Sequence, residues 1–454
     1  MKAMNAIRKA LVVGMGISGR SVCELLLRRG VEVVATDLGA RDKFKGALDS
    51  LEAMGCVLRL GEHRTEDFTS VDQIIVSPGV PLDIEPLRLA AARGVEIIGE
   101  LEWAWRQTDT PVVAVTGTNG KTTTTSLLGE IFKAAGKRVF VGGNIGTPLS
   151  RWVLEGREAD VLILEVSSFQ LDTAPTFRPK VGILLNITED HLDRYEDFSA
   201  YADSKFSIFA RQKPDETAVI NADDPLCHKR CREVPGRLLL CSKNGSGSDA
   251  HVRDGLIEVN VPGRIPFTIS LERTPLQGVH NQENIMAAVL AATAMDISPS
   301  VMQEVIDRYS GLSHRVEWVG SWNGADFYDD SKGTNVGAVV KALENFDRPV
   351  LLFLGGRDKL GSYGPLIGPL KEKGKGVFAF GESAQRIYEA LGGHISTRSY
   401  QDLEAAFKDA VAMAAPGDVV LLSPACSSFD QYESYAQRGD HFKRLVRELT
   451  TGGS

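Results

Sequence analysis

The chain has 454 residues, 43% of them hydrophobic and 24% charged, with 45 glycines and a formal net charge of −8. This length exceeds what one hydrophobic core usually holds, and the ordinary composition excludes a disordered or fibrous chain. The negative charge excludes a broad nucleic-acid surface, and no apolar run approaches the roughly 18 residues of a membrane span.

The first residues run directly into an apolar strand without a secretory signal, and the six cysteines lack metal-ligand spacing. These features predict reduced thiols and a cytoplasmic protein without a nucleic-acid or membrane partner. We expect a monomer.

Residues 1–99 carry apolar runs that alternate with one amphipathic helix, from about Ser18 to Arg29, which is typical of a Rossmann-like α/β domain. The predicted strands are Ala10–Val13, Val31–Ala35, Gln73–Val76 and Val95–Ile98.

A glycine-rich turn follows the first of these strands. Residues Gly14 to Gly19 match G-x-G-x-x-G, and Asp37 follows the second strand, which by itself indicates a dinucleotide site. The same turn also accepts another pyrophosphate, such as that of a UDP-sugar, because it offers backbone N–H groups and a helix N-terminus. A nicotinamide oxidoreductase and a purely structural turn therefore stay open as alternatives.

A second α/β series occupies residues 100–311 and predicts a central domain. Its predicted strands are Val112–Val115, Arg138–Val141, Val161–Val166, Val181–Leu185 and Ala218–Ile220. Between residues 235 and 275 short alternating runs indicate small antiparallel strands, which we interpret as a β excursion within this domain.

The sequence TGTNGKTT at residues 116–123 lies between the first strand of this series and a helix that starts near Thr122. Its glycines let several N–H groups point at one anion, Lys121 can contact the β- and γ-phosphates, and Thr122 can offer its hydroxyl to Mg²⁺. The pattern predicts a P-loop ATPase-like domain that binds ATP and Mg²⁺. Val115 stands where the standard motif has its first glycine.

Two more polar groups follow strands of the central domain. Glu165 lies near the end of one strand, and His191 lies in the polar segment 186–194 after the next. Mg²⁺ prefers oxygen ligands, so Glu165 is the stronger candidate ligand and His191 the weaker. A structural hydrogen bond is the alternative for each.

Residues 312–454 form a third α/β series, which predicts a Rossmann-like C-terminal domain that ends in a helix from about Tyr432 to Leu449. The predicted strands are Ala325–Tyr328, Val350–Leu354, Gly376–Phe380 and Val419–Leu422.

Polar loops follow three strands of this series, at residues 329–335, 355–359 and 423–430. The cations Lys332 and Lys359 and the hydroxyls of Thr334 and Ser428 could bind a small dicarboxylate, and an aspartate could hold a ribose. Three solvated turns are the alternative.

The motifs GTNGKT, EVSSFQL, NITEDHLDRY, HNQEN, HRVE, DDSKGTN and LSPACSSFDQY occur in this order along essentially the whole chain. In them the chain resembles the Mur ligases of peptidoglycan synthesis. The resemblance implies an ATP-dependent ligase that activates a carboxylate as an acyl phosphate and joins it to an amine. It further implies UDP-N-acetylmuramoyl-L-alanine as the nucleotide substrate of the N-terminal domain and D-glutamate as the amino acid that binds the C-terminal domain.

The resemblance also implies roles for single residues. For the ATP phosphates these are Gly117, Thr118, Asn119, Gly120, Lys121, Thr122 and Thr123, with Asn281 and Asn284 at the adenine and Arg315 and Asp330 at the phosphates and ribose. For Mg²⁺ they are Thr122, Glu165, His191 and Lys205, the last as a carbamate. For the UDP-muramoyl substrate they are Met15, Gly16, Ser18, Asp37, Ser77, Gly79, Asn144 and His191. For D-glutamate they are Thr334, Lys359, Ser428, Phe429 and Tyr435, to which the polar-loop pattern adds Lys332. After Asp37 the family pattern has Thr or Ser followed by Arg, whereas this chain has Leu38 and Gly39.

Three other functions remain open at this point. One is a related ligase, either a Mur ligase for another amino acid or a folylpolyglutamate synthase, although the latter lacks the N-terminal glycine-turn domain. The others are the nicotinamide oxidoreductase and a nucleotide-binding regulator without catalytic activity.

Overall fold

A computed structural model describes residues 7–44, 46–190, 194–243, 245, 247–276, 278–311, 313–358 and 362–451. The chain forms two compact units. The first comprises Met1–Ile187, Asp197–Leu271 and Asn284–Val305, and the second comprises Thr188–Glu196, Glu272–Glu283 and Ile306–Ser454. The predicted domains 1–99 and 100–311 fall largely in the first unit, and their boundaries remain predictions.

Strands and helices are numbered in chain order within the described residues. The strands are β1 Lys9–Val13, β2 Glu32–Asp37, β3 Val57–Leu60, β4 Gln73–Val76, β5 Glu96–Gly99, β6 Val112–Thr116, β7 Val139–Gly143, β8 Val161–Glu165, β9 Val181–Leu184, β10 Thr217–Asn221, β11 Arg237–Ser242, β12 Ala250–Arg253, β13 Leu256–Val259, β14 Phe267–Ser270, β15 Glu317–Trp322, β16 Ala325–Asp329, β17 Val350–Gly355, β18 Gly374–Phe380, β19 Thr397–Tyr400 and β20 Val419–Ala425. The helices are α1 Ile17–Arg28, α2 Asp49–Ala53, α3 Thr65–Thr69, α4 Glu85–Ala92, α5 Glu100–Trp105, α6 Lys121–Ala134, α7 Leu149–Glu155, α8 Ser168–Leu171, α9 Phe198–Phe206, α10 Pro225–Arg230, α11 Val279–Ala294, α12 Pro299–Arg308, α13 Val336–Leu343, α14 Ile367–Lys373, α15 Ala384–Leu391, α16 Leu403–Met413 and α17 Tyr435–Thr451.

The first sheet of unit 1 is parallel and has the strand order β3-β2-β1-β4-β5. Alternate residues of β1 enter different cores, Ala10 and Val12 on one face and Leu11 and Val13 on the other, so both faces are covered. Strand order reverses between β1 and β4, and ligands of open α/β sheets bind at such a position. The glycine turn therefore lies where a nucleotide site is expected.

The second sheet has the order β14-β13-β12-β11-β10-β9-β6-β8-β7. Strand β6 lies between β8 and β9, with Val115 opposite Glu165 and Thr116 opposite Leu184. This register brings the end of β8 beside the start of the glycine loop.

The β excursion differs in part from its prediction. Strands β12, β13 and β14 are antiparallel as expected, but β11 runs parallel to β10, and all four strands extend the central sheet. The alternating pattern of β11, with Leu239 and Cys241 buried, resembles that of a half-exposed strand, which is why its parallel pairing was not anticipated.

The sheet of unit 2 has the order β15-β16-β20-β17-β18-β19 and is parallel except for β15. Leu352 and Leu354 of β17 enter one core, and Leu351 and Phe353 enter the other. The carboxyl ends of β16, β17 and β20 lead into the three predicted polar loops.

Across the described residues, no helix combines the length and apolar character that a bilayer span requires.

Candidate active site

Two glycines with positive φ shape the loop between β6 and α6. Gly117 has φ 144° and Gly120 has φ 84°, and a Cβ on Gly120 would collide with the Asn284 side-chain oxygen. Asn186 holds the backbone of the loop at Thr118 and Asn119. Its carbonyl oxygen accepts from the Thr118 N–H at 2.9 Å, and its Oδ1 accepts from the Asn119 N–H at 2.8 Å. The backbone is therefore held in the curled shape that an anion-binding loop needs.

Helix α6 begins directly after this loop. Its N-cap is Gly120, and no side chain caps the helix N-terminus. Backbone N–H groups of a first turn carry partial positive charge and bind phosphate when a side chain does not cap them.

Two lysines contact the same carbonyl group of the loop. Lys121 Nζ donates to Gly117 O at 2.8 Å and to Thr118 O at 2.9 Å, while Lys205 Nζ donates to Gly117 O at 2.9 Å. Lys205 is 2% exposed. The structure thus brings Lys121 and Lys205, which are far apart in sequence, to one loop.

Tyr201 is part of this site and was not among the predicted site residues. Its hydroxyl bonds the Thr118 hydroxyl at 3.1 Å, and its ring lies 4.6 Å from Lys205 Nζ. Tyr201 precedes Lys205 by four residues on α9, so both side chains share one helix face. That spacing was the sequence signal that could have identified it.

Glu165 is buried at the end of β8, and its two carboxylate oxygens differ. Oε1 accepts from the Asn144 amide at 2.8 Å, whereas Oε2 has no hydrogen-bond partner among the described residues. A buried carboxylate oxygen without a donor is costly unless a cation binds it. Oxygen donors are also what Mg²⁺ prefers, so Glu165 fits a magnesium ligand.

Other predicted nucleotide residues divide between the units. Asn284 lies in unit 1, where its Oδ1 accepts from the Thr124 hydroxyl at 3.3 Å. Asn281, Arg315 and Asp330 lie in unit 2. His191 lies outside the described residues.

The glycine turn of the first sheet is closed by Ser77 and Asp37. The Ser77 hydroxyl donates to Gly14 O at 2.8 Å, and a Cβ on Gly19 would collide with the same carbonyl group. The Asp37 carboxylate accepts from the N–H groups of Met15 at 2.8 Å and Gly39 at 2.7 Å. Asp37 therefore shapes the loop backbone.

The open side of this turn carries apolar side chains that were not predicted as site residues. Ile17 is 63% exposed and Leu38 is 66% exposed, whereas the Met15 side chain is buried in the core. A Cβ on Gly16 would meet no atom within 4 Å, and Gly16 is the N-cap of α1, which has no side-chain cap. Ser18 and Gly79 remain predicted substrate contacts.

In unit 2, Asp330 is a buried carboxyl group in a polar turn. It accepts from the Ser423 hydroxyl at 2.6 Å and from the Val316 N–H at 3.3 Å. Burial raises its pKa to about 7, although the Ser423 hydrogen bond acts in the opposite direction.

The three polar loops of unit 2 pair with each other. Backbone hydrogen bonds join Arg357 to Ser427 in both directions, and the Ala425 N–H donates to Gly333 O at 2.9 Å. Lys332 Nζ lies 3.9 Å from the centre of the Tyr435 ring, which brings two predicted D-glutamate residues together.

The remaining predicted D-glutamate residues differ in exposure. Ser428 is buried, Phe429 is 63% exposed and Thr334 is half-buried. Lys359 lies outside the described residues.

A charged network lies beside the HRVE turn. His314 Nδ1 bonds Asp329 Oδ2 at 2.6 Å, and Glu317 Oε2 accepts from the His314 N–H at 2.8 Å. The possible ligand atoms of these three residues lie within 4.8 Å of one another, which would suit a metal ion. However, the ammonium group of Lys443 bonds Glu317 Oε2 and lies 4.0 Å from Asp329 Oδ2, so a cation is already supplied. We interpret the group as an ion-pair network.

Three family models match the chain: "Mur ligase MurD-like, N-terminal domain" over residues 8–99, "Mur ligase middle domain" over 115–292 and "Mur ligase, glutamate ligase domain" over 314–426. A relative from Desulfosudis oleivorans named "UDP-N-acetylmuramoylalanine--D-glutamate ligase" is 46% identical, over 98% of this chain and 97% of its own length. A relative of the same name from Pelotomaculum thermopropionicum is 44% identical over 98% of each chain.

Solved structures agree on the fold. The MurF ligase of Thermotoga maritima in complex with ADP has a TM-score of 0.63 at 18% identity and covers 99% of this chain and 97% of its own. The MurC ligase of the same organism has a TM-score of 0.58 at 17% identity and covers 97% of this chain and 99% of its own. With three family models in order and full-length relatives above 40% identity, the chain belongs to the Mur ligase family of ATP-dependent, amide-bond-forming ligases.

Proposed function

We propose that this chain joins D-glutamate to UDP-N-acetylmuramoyl-L-alanine through an acyl phosphate, with conversion of ATP to ADP and phosphate. The observation that carries the proposal is the similarity, over nearly the full length, to relatives that are named UDP-N-acetylmuramoylalanine--D-glutamate ligase. The geometry of the glycine loop, with Lys121 on two of its carbonyl groups and an uncapped helix N-terminus after it, supports a site for a polyphosphate.

In the first step, a carboxylate oxygen of the L-alanyl group attacks the γ-phosphorus of ATP, and ADP leaves. The difficulty is repulsion between an anionic nucleophile and an anionic triphosphate. Lys121 would exchange its two carbonyl acceptors for phosphate oxygens, and the N–H groups of the loop and of the first turn of α6 would bind the remaining charge.

Mg²⁺ is the proposed metal, and it would neutralise phosphate charge. Glu165 would hold it through the oxygen that has no partner in the described residues, with Thr122 supplying a hydroxyl. The family resemblance adds His191 and a carbamate on Lys205.

In the second step, the amine of D-glutamate attacks the acyl carbon, phosphate leaves, and the amine loses its proton. The proposed contacts to the amino acid are Lys332, Thr334, Lys359, Ser428, Phe429 and Tyr435. An ammonium group and hydroxyl groups suit a dicarboxylate because they supply charge and hydrogen-bond donors.

The nucleotide of the muramoyl substrate is proposed to bind the first sheet. Its pyrophosphate would lie on the Gly16 side of the turn, where no side chain caps α1, and Asn144 would contact the muramoyl part. We keep Asn281, Arg315 and Asp330 of unit 2 as proposed ATP contacts. We further propose a cytoplasmic monomer that acts without nucleic acid or membrane.

The experiment is release of phosphate from ATP in the presence of Mg²⁺ and UDP-N-acetylmuramoyl-L-alanine, scanned over the D- and L-amino acids. We expect release with D-glutamate that stops when the nucleotide substrate is omitted. Release with a different amino acid would assign another Mur-type activity, and oxidation of NADH without phosphate release would overturn the proposal.

A further inference from the structure

Helix α17 places one buried arginine beneath the three polar loops of unit 2. Arg438 is 0% exposed, although arginine is among the residues that are least often fully buried. Such a residue needs a structural or functional reason.

The guanidinium group of Arg438 bonds all three loops. Nε donates to the hydroxyl of Ser331 at 2.9 Å, and Nη2 donates to the carbonyl oxygen of Ser331 at 2.9 Å. Nη1 donates to Gly355 O at 3.2 Å, and Nη2 donates to Cys426 O at 3.2 Å. A longer bond of 3.4 Å joins Nη1 to Ser427 O.

Two of these acceptor residues come directly before residues that are proposed to bind the amino acid. Ser331 precedes Lys332, and Ser427 precedes Ser428. Gly355 precedes Lys359 by four residues in sequence. The planar group, with its fixed donor directions, therefore sets the spacing of all three backbones at once.

Packing around the guanidinium is tight. A Cβ on Gly356 would lie 3.0 Å from Arg438 Nη1 and would collide with Ser427 O. The loops can approach this closely because Gly356 has φ 126° and no side chain.

The charge of Arg438 has no carboxylate partner at ion-pair distance among the described residues, and its hydrogen-bond acceptors are neutral oxygens. Burial lowers its pKa to about 10, which still leaves it charged at neutral pH. The carboxylates of Asp430 and Asp329 act on this charge from beyond ion-pair distance, and neither of them bonds the guanidinium directly.

We propose that Arg438 is a positioning residue for an anionic amino acid, because it fixes the three loops that would surround that substrate and adds positive charge beside them. This inference rests on the proposed function, in which the amino acid is D-glutamate. Arg438 itself need not touch the substrate.

The test is the Arg438→Lys variant, which keeps the charge but cannot bond three loops together. We expect KM for D-glutamate to rise about tenfold or more, because small displacements of positioning groups have effects of up to about 100-fold. KM for ATP and for the nucleotide substrate should change less than about threefold.

The control is Val446→Ala, which removes buried volume from the same helix at a distance of more than two turns in sequence from Arg438. It should lower the melting temperature without a selective change in KM for D-glutamate. If Arg438→Lys behaves in the same way, or leaves all three KM values unchanged, the inference is wrong.

A second variant covers the case in which Arg438→Lys does not fold. Ser331→Ala removes the hydroxyl that accepts from Arg438 Nε at 2.9 Å and donates to Tyr435 O at 2.8 Å, and it should raise KM for D-glutamate several-fold. An unchanged KM in this folded variant would contradict the inference.

The wild-type enzyme separates the two proposals. Should it use another anionic amino acid, the substrate assignment fails, and the same variants are then measured with that amino acid. A selective KM effect there would support the role of Arg438 even though D-glutamate had been excluded.

Discussion

At the scale of single residues, the shared carbonyl group of Gly117 is the most informative contact. Two lysine ammonium groups, Lys121 and Lys205, donate to it at 2.8 and 2.9 Å. Like charges this close repel each other. A polyphosphate would offset the charge of Lys121, and the proposed carbamate would remove the charge of Lys205. The contact explains why this loop should bind an anion and not merely turn the chain.

Replacing Lys121 by Ala should lower kcat/KM for ATP-dependent phosphate release by at least about 100-fold, because removal of one charge-stabilising donor has effects of this size. The melting temperature should change little, since Lys121 is only partly buried. The matched control is Lys133→Ala on the same helix, an exposed lysine paired with Glu130. A Lys121→Ala variant with near-normal turnover would exclude the assigned role.

Replacing Glu165 by Gln should raise the Mg²⁺ concentration for half-maximal activity about tenfold or more. The amide can still accept from Asn144, but its NH₂ group would place a donor where the partnerless oxygen now lies. Glu216→Gln controls for loss of a buried carboxylate elsewhere in unit 1. Equal Mg²⁺ titrations for wild type and Glu165→Gln would remove Glu165 from the metal site.

Asp330 should make stability depend on pH. Its folded pKa, about 7, lies above the ordinary value of 3.8, so between these values the folded state holds a proton that the unfolded state has released. The free energy of unfolding therefore falls as pH rises through this window. Asp330→Asn cannot titrate, so its stability relative to wild type should rise between pH 5 and pH 8, by about 2 kcal/mol.

Urea unfolding at several pH values measures this difference, with the exposed Asp347→Asn as the control. A pH-independent difference between Asp330→Asn and wild type would show that the carboxyl group is ionised throughout the range.

Some site residues could be predicted from sequence, whereas others could not. Lys121 and Glu165 follow strands, and the ends of parallel strands meet at one edge. Tyr201 could have been identified from its spacing of four residues from Lys205 on α9. Arg438 acts through tertiary contacts of a helix side chain, which no local pattern reveals. The individual binding roles remain predictions.

At the scale of elements, helix α17 connects the HRVE turn with the strand ends of unit 2. Gly439 allows the helix to approach this turn, since a Cβ there would collide with His314 Nδ1 and lie 2.7 Å from Asp329 Oδ2. Lys443, one turn further, bonds Glu317.

Replacing Gly439 by Ala should destabilise the protein by about 1–3 kcal/mol through overpacking. The gain in helix propensity, about 1 kcal/mol, acts in the opposite direction but is smaller, because the two neighbours are buried and hydrogen-bonded to each other. Thermal and urea unfolding measure the change, with the exposed Arg444→Ala as the control on the same helix. A Gly439→Ala protein more stable than wild type would mean that α17 can move away from the turn.

Outside the β excursion, three of the described strands were missing from the sequence prediction, and each lies at the edge of its sheet: β3, β15 and β19. Edge strands are partly exposed, so they lack the continuous apolar runs that identified the central strands. The central strands do have continuous apolar runs, and they were therefore predicted to within a few residues.

At the scale of the whole molecule, the predicted fold class and family are confirmed. Three α/β sheets occur in the expected order, and the three family models cover them. The repeated strand–helix pattern was sufficient for the fold class because it has a strong physical period. Identification of the family required seven separate motifs in one order, since a glycine loop alone also occurs in enzymes of other classes.

The central claim is an acyl-phosphate ligase specific for D-glutamate. It is tested most directly with UDP-N-acetylmuramoyl-L-alanine that carries ¹⁸O at both oxygens of its terminal carboxylate. One labelled oxygen attacks the γ-phosphorus and leaves with the phosphate when the amine of D-glutamate attacks the acyl carbon. We expect mass spectrometry to find one ¹⁸O atom in each phosphate released, together with the amide product. Amide formation with unlabelled phosphate would contradict the account.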